Sequence, residues 1–347
     1  MWKRIVIVLL VVVVAVLGAG VATMRMELAD AHKHYFDVYD PALPFNVEVA
    51  EKTAKDGYVV EKVYFESRPG ERVPTLITYP PDAQGKLPLI LFLHGIGQKK
   101  DFIEEITLPF TVNGFAMACF DQHMQGERKL PKEASTWASA KAFFDRPWKT
   151  VNDARRFLDY AATRGDIDMN RIYLVGASYG AITGSTFSAF DKRVRAAALV
   201  YGAGNIEKML DARMINAEIS SNYPKLEPLL PYARSFVAYV LDPADPIHYV
   251  DQIAPRPVFI QNGRDDGLIA TEAAEQLQAK AGEPKTIKWY PGDHIGLDAA
   301  TVAQVLKDGL QWILEQDKEF RGGSAALSPQ TDPVFAMLQA RVEEAHK

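Results

Sequence analysis

One uninterrupted passage constrains this chain most. A run at 171–175, apolar after Arg171, leads into Gly176-Ala177-Ser178-Tyr179-Gly180, and a stretch of mostly small residues follows at 181–190. The first part reads as a buried strand and the last as a helix. Only the pentapeptide separates them, so the chain has to turn sharply within it. Glycines at both ends remove the side chains that would keep strand and helix apart. A strand delivered straight into a helix is half of a parallel crossover unit, which places a parallel sheet at the centre of the fold.

The rest of the chain keeps that rhythm. Runs at 58–67 and 73–79 flank the turn Arg68-Pro69-Gly70 and predict a hairpin that opens the sheet. Strands follow at 87–93, 115–120, 171–175, 196–201, 257–261 and 286–290, with helices at 150–164, 181–190, 271–281 and 299–315. The runs at 87–93 and 115–120 are nearly continuous in apolar residues, as strands covered on both faces are. The fold class is therefore α/β, with a mostly parallel sheet and helices on both faces. Residues 205–241 break the alternation. They are helical in pattern, carry Pro224 and Pro231, and are too long for a simple connection. We read them as a helical cap inserted over the sheet edge.

The N-terminus bears on location. Lys3 and Arg4 precede 20 uncharged residues at 5–24. At 1.5 Å per residue that run spans about 30 Å, the thickness of a bilayer's hydrocarbon core. The segment 1–24 is expected to be an uncleaved anchor with the rest of the chain outside the cytoplasm, or else a cleaved signal peptide of a secreted or periplasmic protein. Residues 25–57 read as a linker and lead-in, 58–320 as the main domain, and 321–347 as a tail ending in a weakly amphipathic helix. The net charge of -5 and the absence of a basic block give no footprint for nucleic acid. Cys119 is the single cysteine, so no intrachain disulfide can form, and its apolar setting marks it as a core residue.

The chemistry begins at Ser178. G-x-S-x-G between a strand and a helix is a nucleophile elbow. It presents the serine at the N-terminus of the following helix, where N–H groups favour developing negative charge. A serine hydroxyl needs a base. His294, in Pro291-Gly292-Asp293-His294 after the last strand, stands where the order serine, acid, histidine requires it. The acid falls in Asn262-Gly263-Arg264-Asp265-Asp266-Gly267, where Asp265 and Asp266 compete. The N–H of Tyr179 and the N–H of Ile96, in His94-Gly95-Ile96-Gly97, are the candidate oxyanion donors.

Other polar residues receive plainer readings. His94 is structural in its loop, and His123, in Asp121-Gln122-His123, is a loop residue on the rim or a pocket liner. Asp168 caps a turn, while Trp137 and Trp148 are candidates to pack near the cap. His32 and His34 lack partners for a metal, and no HExxH, CxxC or GxGxxG pattern occurs, so neither metal nor cofactor is expected.

Taken together, His94-Gly95-Ile96-Gly97, Asp121, Gly176–Gly180, Asp266 and His294 resemble the α/β-hydrolase superfamily over residues 58–320. The nearer likeness is to its dienelactone hydrolase and acetyl-xylan-esterase-like branches, and it extends to the catalytic domain of prolyl oligopeptidase-type peptidases. Related hydrolases carry G-x-x-D-x-x-[VI] after the acid-bearing strand. Gly263, Asp266 and Ile269 fit that spacing, which implies Asp266 as the acid. The resemblance implies a carboxylic ester hydrolase with a Ser178–His294–Asp266 triad, working through an acyl-enzyme on a small-molecule ester. The alternatives are a peptidase, a non-hydrolytic acyltransferase, and a non-catalytic membrane-tethered binding protein. Two departures stand out. Ala181 occupies a position that is often glycine, and residues 25–57 leave no room for the propeller of prolyl oligopeptidases.

Overall fold

A computed structural model describes residues 27, 29–222, 224–294 and 299–345. The expected membrane or signal segment at 1–24 lies outside them. Among the described residues, no helix is long and apolar enough to cross a membrane. The chain divides into two units, Met1–Val38 and Tyr39–Lys347. In the first, residues 29–33 are helical, and His34 Nδ1 lies 2.6 Å from Asp37 Oδ2, which raises the pKa of His34.

The second unit is built on nine strands: β1 Glu48–Lys55, β2 Tyr58–Arg68, β3 Glu71–Tyr79, β4 Leu87–Leu93, β5 Ala116–Phe120, β6 Ile167–Ala177, β7 Val194–Val200, β8 Val258–Gly263 and β9 Lys285–Tyr290. Their order is β1-β2-β3-β5-β4-β6-β7-β8-β9. Strands β1 to β3 pair antiparallel, β3 pairs antiparallel with β5, and every remaining pair is parallel. Strands β4 to β8 run through the interior and are almost wholly buried, whereas the edge strand β9 turns Thr286, Ile287 and Lys288 to solvent.

The larger helices are α1 Thr136–Arg164, α2 Tyr179–Phe190, α3 Arg213–Asn222, α4 Leu230–Leu241, α5 Thr271–Lys280, α6 Ala299–Asp317 and α7 Thr331–Ala345. On one sheet face, α6 and α7 contribute Leu310, Ile313, Leu314, Phe335 and Leu338 to a core that includes Phe115, Cys119, Tyr173 and Phe259. Elsewhere, α1 brings Phe157 to within 6.0 Å of Phe65 of β2, ring to ring.

Three expectations need correction, and the tail, whose role the sequence left open, finds its place. The lead-in contains β1, so β1 and not the 58–79 hairpin opens the sheet; its side chains are almost all exposed, which hid it from a hydrophobicity reading. Helix α1 begins at Thr136 and not at 150, because Ser135 Oγ caps it by accepting from Ala138 N at 3.1 Å. Asp168 lies inside β6, where its carboxylate accepts from Asn170 N. The tail docks: Asn113, ahead of β5, donates to Thr331 Oγ1 at 2.8 Å, accepts from Ser328 N at 2.8 Å, and receives Arg321 Nη1 on its carbonyl at 2.9 Å.

Candidate active site

The elbow joins β6 to α2. Ser178 sits at φ 54° and ψ -118°, a conformation that a residue with a side chain adopts only under strain. Backbone bonds hold it there: Ser178 N donates to Val200 O at 2.8 Å, and Ala181 N and Ile182 N return to Ser178 O. The glycines are obligatory through close approach. A Cβ on Gly180 would stand 1.9 Å from Leu93 O, and one on Gly176 would stand 2.3 Å from Gly180 O. Tyr179 is the first residue of α2, so its N–H is one that a helix leaves without an internal partner.

The loop after β4 lies against this turn, because a Cβ on Gly95 would stand 3.4 Å from the Ser178 Cβ. Gly95 N donates to Gln98 Oε1 at 3.0 Å and Gly97 N to Gln125 Oε1 at 2.7 Å. Gln122 Nε2 donates to His94 O at 2.6 Å. The Ile96 N–H between them carries no hydrogen bond among the described residues. His94 is fully buried, and burial pushes its pKa down. Asp121 folds the next loop by accepting from Lys100 N, Lys100 Nζ and Glu127 N. His123 is half-buried, and burial, with Lys149 and Arg128 nearby, lowers its pKa to about 4.

At the ends of β8 and β9, two more loops meet. Asp266 Oδ1 accepts from Leu268 N and Ile269 N, each at 2.8 Å, and its Oδ2 lies 2.7 Å from His294 Nδ1. Both side chains are nearly sealed, at 3% and 6% exposure. An ionised carboxylate only accepts, so Nδ1 carries the proton and Nε2 is left as the lone-pair nitrogen. The Tyr201 ring meets the imidazole edge-on at 5.5 Å between centroids. Asp265 is exposed and reaches across only through its backbone, with its N–H on Gly292 O and its carbonyl accepting from Arg213. Thus the structure joins Asp266, and not Asp265, to His294. It shows no hydrogen bond between Ser178 and His294.

Sequence reasoning passed over Asp293. Its Oδ1 accepts from both Gly267 N and His294 N at 2.7 Å, tying the acid loop to the histidine loop. The Gly267 N–H first, helped by the His294 N–H and the charge of Arg213, holds its carboxyl below the usual range against the opposing effect of burial. An aspartate next to a histidine gave no signal of that bridge. Trp148 stacks on Arg68, its ring centroid 5.2 Å away, while Trp137 is 79% exposed.

The BD-FAE family profile matches residues 76–281. The chain belongs to the BD-FAE family. The match includes the elbow and Asp266 but stops before His294. The chain is 27% identical over 164 residues to the uncharacterized protein YfhR of Salmonella typhi, covering 46% of this chain and 52% of that one. It is 23% identical over 166 residues to the putative hydrolase YtaP of Bacillus subtilis, covering 44% and 56%. The chain thus spans about half the length of the curated relatives it matches.

Solved structures share the fold of this BD-FAE member. An acetyl xylan esterase from Paenibacillus sp. R4 superimposes with a TM-score of 0.61 at 15% identity, covering 80% of this chain and 92% of that one. Acetyl xylan esterase 1 of Thermoanaerobacterium sp. JW/SL YS485 gives 0.59 at 18%, covering 81% and 93%. A putative dienelactone hydrolase of Klebsiella pneumoniae gives 0.53 at 19%, covering 75% and 98%. The fold is that of the α/β-hydrolase superfamily, as the motif resemblance implied.

Proposed function

We propose that this BD-FAE member is a serine esterase that cleaves small carboxylic esters through an acyl-enzyme. The observation that carries the reading is the sealed 2.7 Å contact between His294 Nδ1 and Asp266 Oδ2, at the same sheet edge as the strained Ser178. In this mechanism Ser178 Oγ attacks the ester carbonyl while His294 Nε2 takes the hydroxyl proton. Asp266 stays ionised, fixes the tautomer and stabilises the imidazolium. The Tyr179 and Ile96 N–H groups receive the oxyanion; one such donor is worth about 3 kcal/mol. The imidazolium then protonates the leaving alkoxide, and water attacks the acyl-enzyme with the same nitrogen as base. An unformed Ser178–His294 bond accords with this scheme, since such contacts tighten only when substrate is bound.

The insertion at 205–241 is the cap in this reading. Its support is that α3 reaches the acid loop through Met214 N on Gly267 O at 2.9 Å and Arg213 on Asp265 O at 3.2 Å. In this reading the run at 5–24 is a membrane anchor, or else a cleaved signal peptide, and either keeps the catalytic domain outside the cytoplasm; full-length chain found in the cytosol would refute both.

The main test is a fluorophosphonate probe together with p-nitrophenyl esters and peptide anilides. Labelling and ester cleavage should both vanish in Ser178→Ala. A variant that still labels would remove Ser178 as the nucleophile, and faster cleavage of anilides would make the enzyme a peptidase.

A further inference from the structure

Asp266 and His294 are joined twice. Their side chains meet at 2.7 Å, and their chain neighbours meet as well: Asp293, which precedes the histidine, accepts on Oδ1 from the N–H of Gly267, which follows the acid, at 2.7 Å. The same Oδ1 accepts from His294 N at 2.7 Å, so one carboxylate oxygen fixes the backbone on both sides. The carbonyl of Gly267 belongs to the cap. It accepts from Met214 N at 2.9 Å, and that N–H, in the first turn of α3, is one a helix leaves without an internal acceptor. A Cβ on Gly267 would stand 2.8 Å from Met214 Cγ and 2.9 Å from Arg213 Nη2, so α3 packs directly on the glycine backbone. Arg213 Nη2 also lies 3.6 Å from Asp293 Oδ2, but at 71% exposure that ion pair adds little. The cap therefore reaches the histidine through consecutive hydrogen bonds, Met214 with Gly267, Gly267 with Asp293, and Asp293 with the His294 backbone.

We propose that Asp293 is a positioning residue through which cap helix α3 sets the imidazole of His294, so that the cap governs turnover and not only access. The inference rests on the serine esterase reading and adds a determinant of its rate. The physical basis is the narrow tolerance of proton transfer. Ser178 Oγ and His294 Nε2 have to come within about 2.6–3.2 Å of each other. Misplacing a catalytic group by about 1 Å costs on the order of 100-fold. Asp266 holds the ring only at Nδ1, a point about which it can still swing. The Asp293 oxygen fixes the backbone from which the ring projects.

The test measures kcat and KM for 4-nitrophenyl acetate in the full-length chain and its variants. Asp293→Ala should lower kcat about 10- to 100-fold with KM within about twofold. Asp293→Asn keeps the Oδ1 acceptor and should retain kcat within about threefold. Met214→Pro deletes one N–H in a first helical turn, where proline is tolerated, and Met214 is 40% exposed, so little packing goes with it. Loss of that hydrogen bond should lower kcat about 3- to 10-fold. The double variant Asp293→Ala/Met214→Pro should be no slower than Asp293→Ala, because both changes cut one path. Additive losses, an asparagine variant as slow as the alanine one, or a change in KM alone each overturn the proposal.

Proton NMR gives a second readout that needs no turnover. The Nδ1–H of His294, sealed with Asp266, should give a slowly exchanging downfield signal that His294→Gln removes. Asp293→Ala and Met214→Pro should weaken or abolish the signal, and Asp293→Asn should keep it. Should Asp293→Ala fail to fold, Met214→Pro decides, and an undiminished kcat with an unchanged signal is fatal. If the wild type cleaves no ester, the esterase reading has failed, and the signal reports on the positioning path by itself.

Discussion

The neighbouring carboxylates Asp265 and Asp266 differ in one respect that decides their chemistry. Asp266 turns inward, where two backbone N–H groups and the imidazole compete for its oxygens, while Asp265 faces water. Asp266→Asn should therefore cost about 10³- to 10⁴-fold in kcat, because the amide favours the wrong tautomer of His294. Asp265→Asn should stay within about threefold, since a solvated charge several bonds away is screened. Ester hydrolysis by the two variants checks the pair, and a larger loss at Asp265 would reverse the assignment. Asp293 acts at the same scale by a different route. It holds two backbones together and so positions the imidazole loop.

Among the elements, the β2–β3 hairpin is pinned to α1 by charge. Glu71 meets Arg68, Arg128 and Lys149, while buried Asp153 accepts from Arg68 and Arg128. Burial alone would raise the pKa of Glu71; the bonds from Arg68 and Lys149 outweigh it and bring it to about 2. A carboxyl with a depressed folded pKa stabilises fully above its unfolded value and loses that contribution as the pH falls through the folded one. Glu71→Gln should cost about 1–2 kcal/mol at pH 7, after discounting for a side chain open to solvent. The deficit should shrink between pH 4.5 and about 2. Urea denaturation across that range checks it, and a deficit independent of pH would mean that packing, not charge, is lost. The same hairpin shows the limit of pattern reading. Its strands were legible as β-rich runs flanking a turn signal, whereas β1 was hidden because it sits at the sheet edge with polar residues on both faces.

At the scale of the whole hydrolase unit, the tail closes the core: Phe335 and Leu338 of α7 are each 6% exposed, and Asn113 ties the segment down by three hydrogen bonds. Removing residues 322–347 should uncover part of the core that α6 covers and cost about 3 kcal/mol or more, counting two buried apolar side chains. A fall in melting temperature measures it, and an unchanged value would make the tail an ornament. The sequence by itself determined the α/β order, the elbow at Ser178 and the family resemblance, because these rest on local spacing: apolar runs, glycines at fixed offsets, and a serine between them. Only the tertiary structure decided which aspartate meets His294, what Asp293 bridges and where the tail docks. Those are contacts between segments far apart in the chain, and their strength depends on burial and direction, which local composition does not encode.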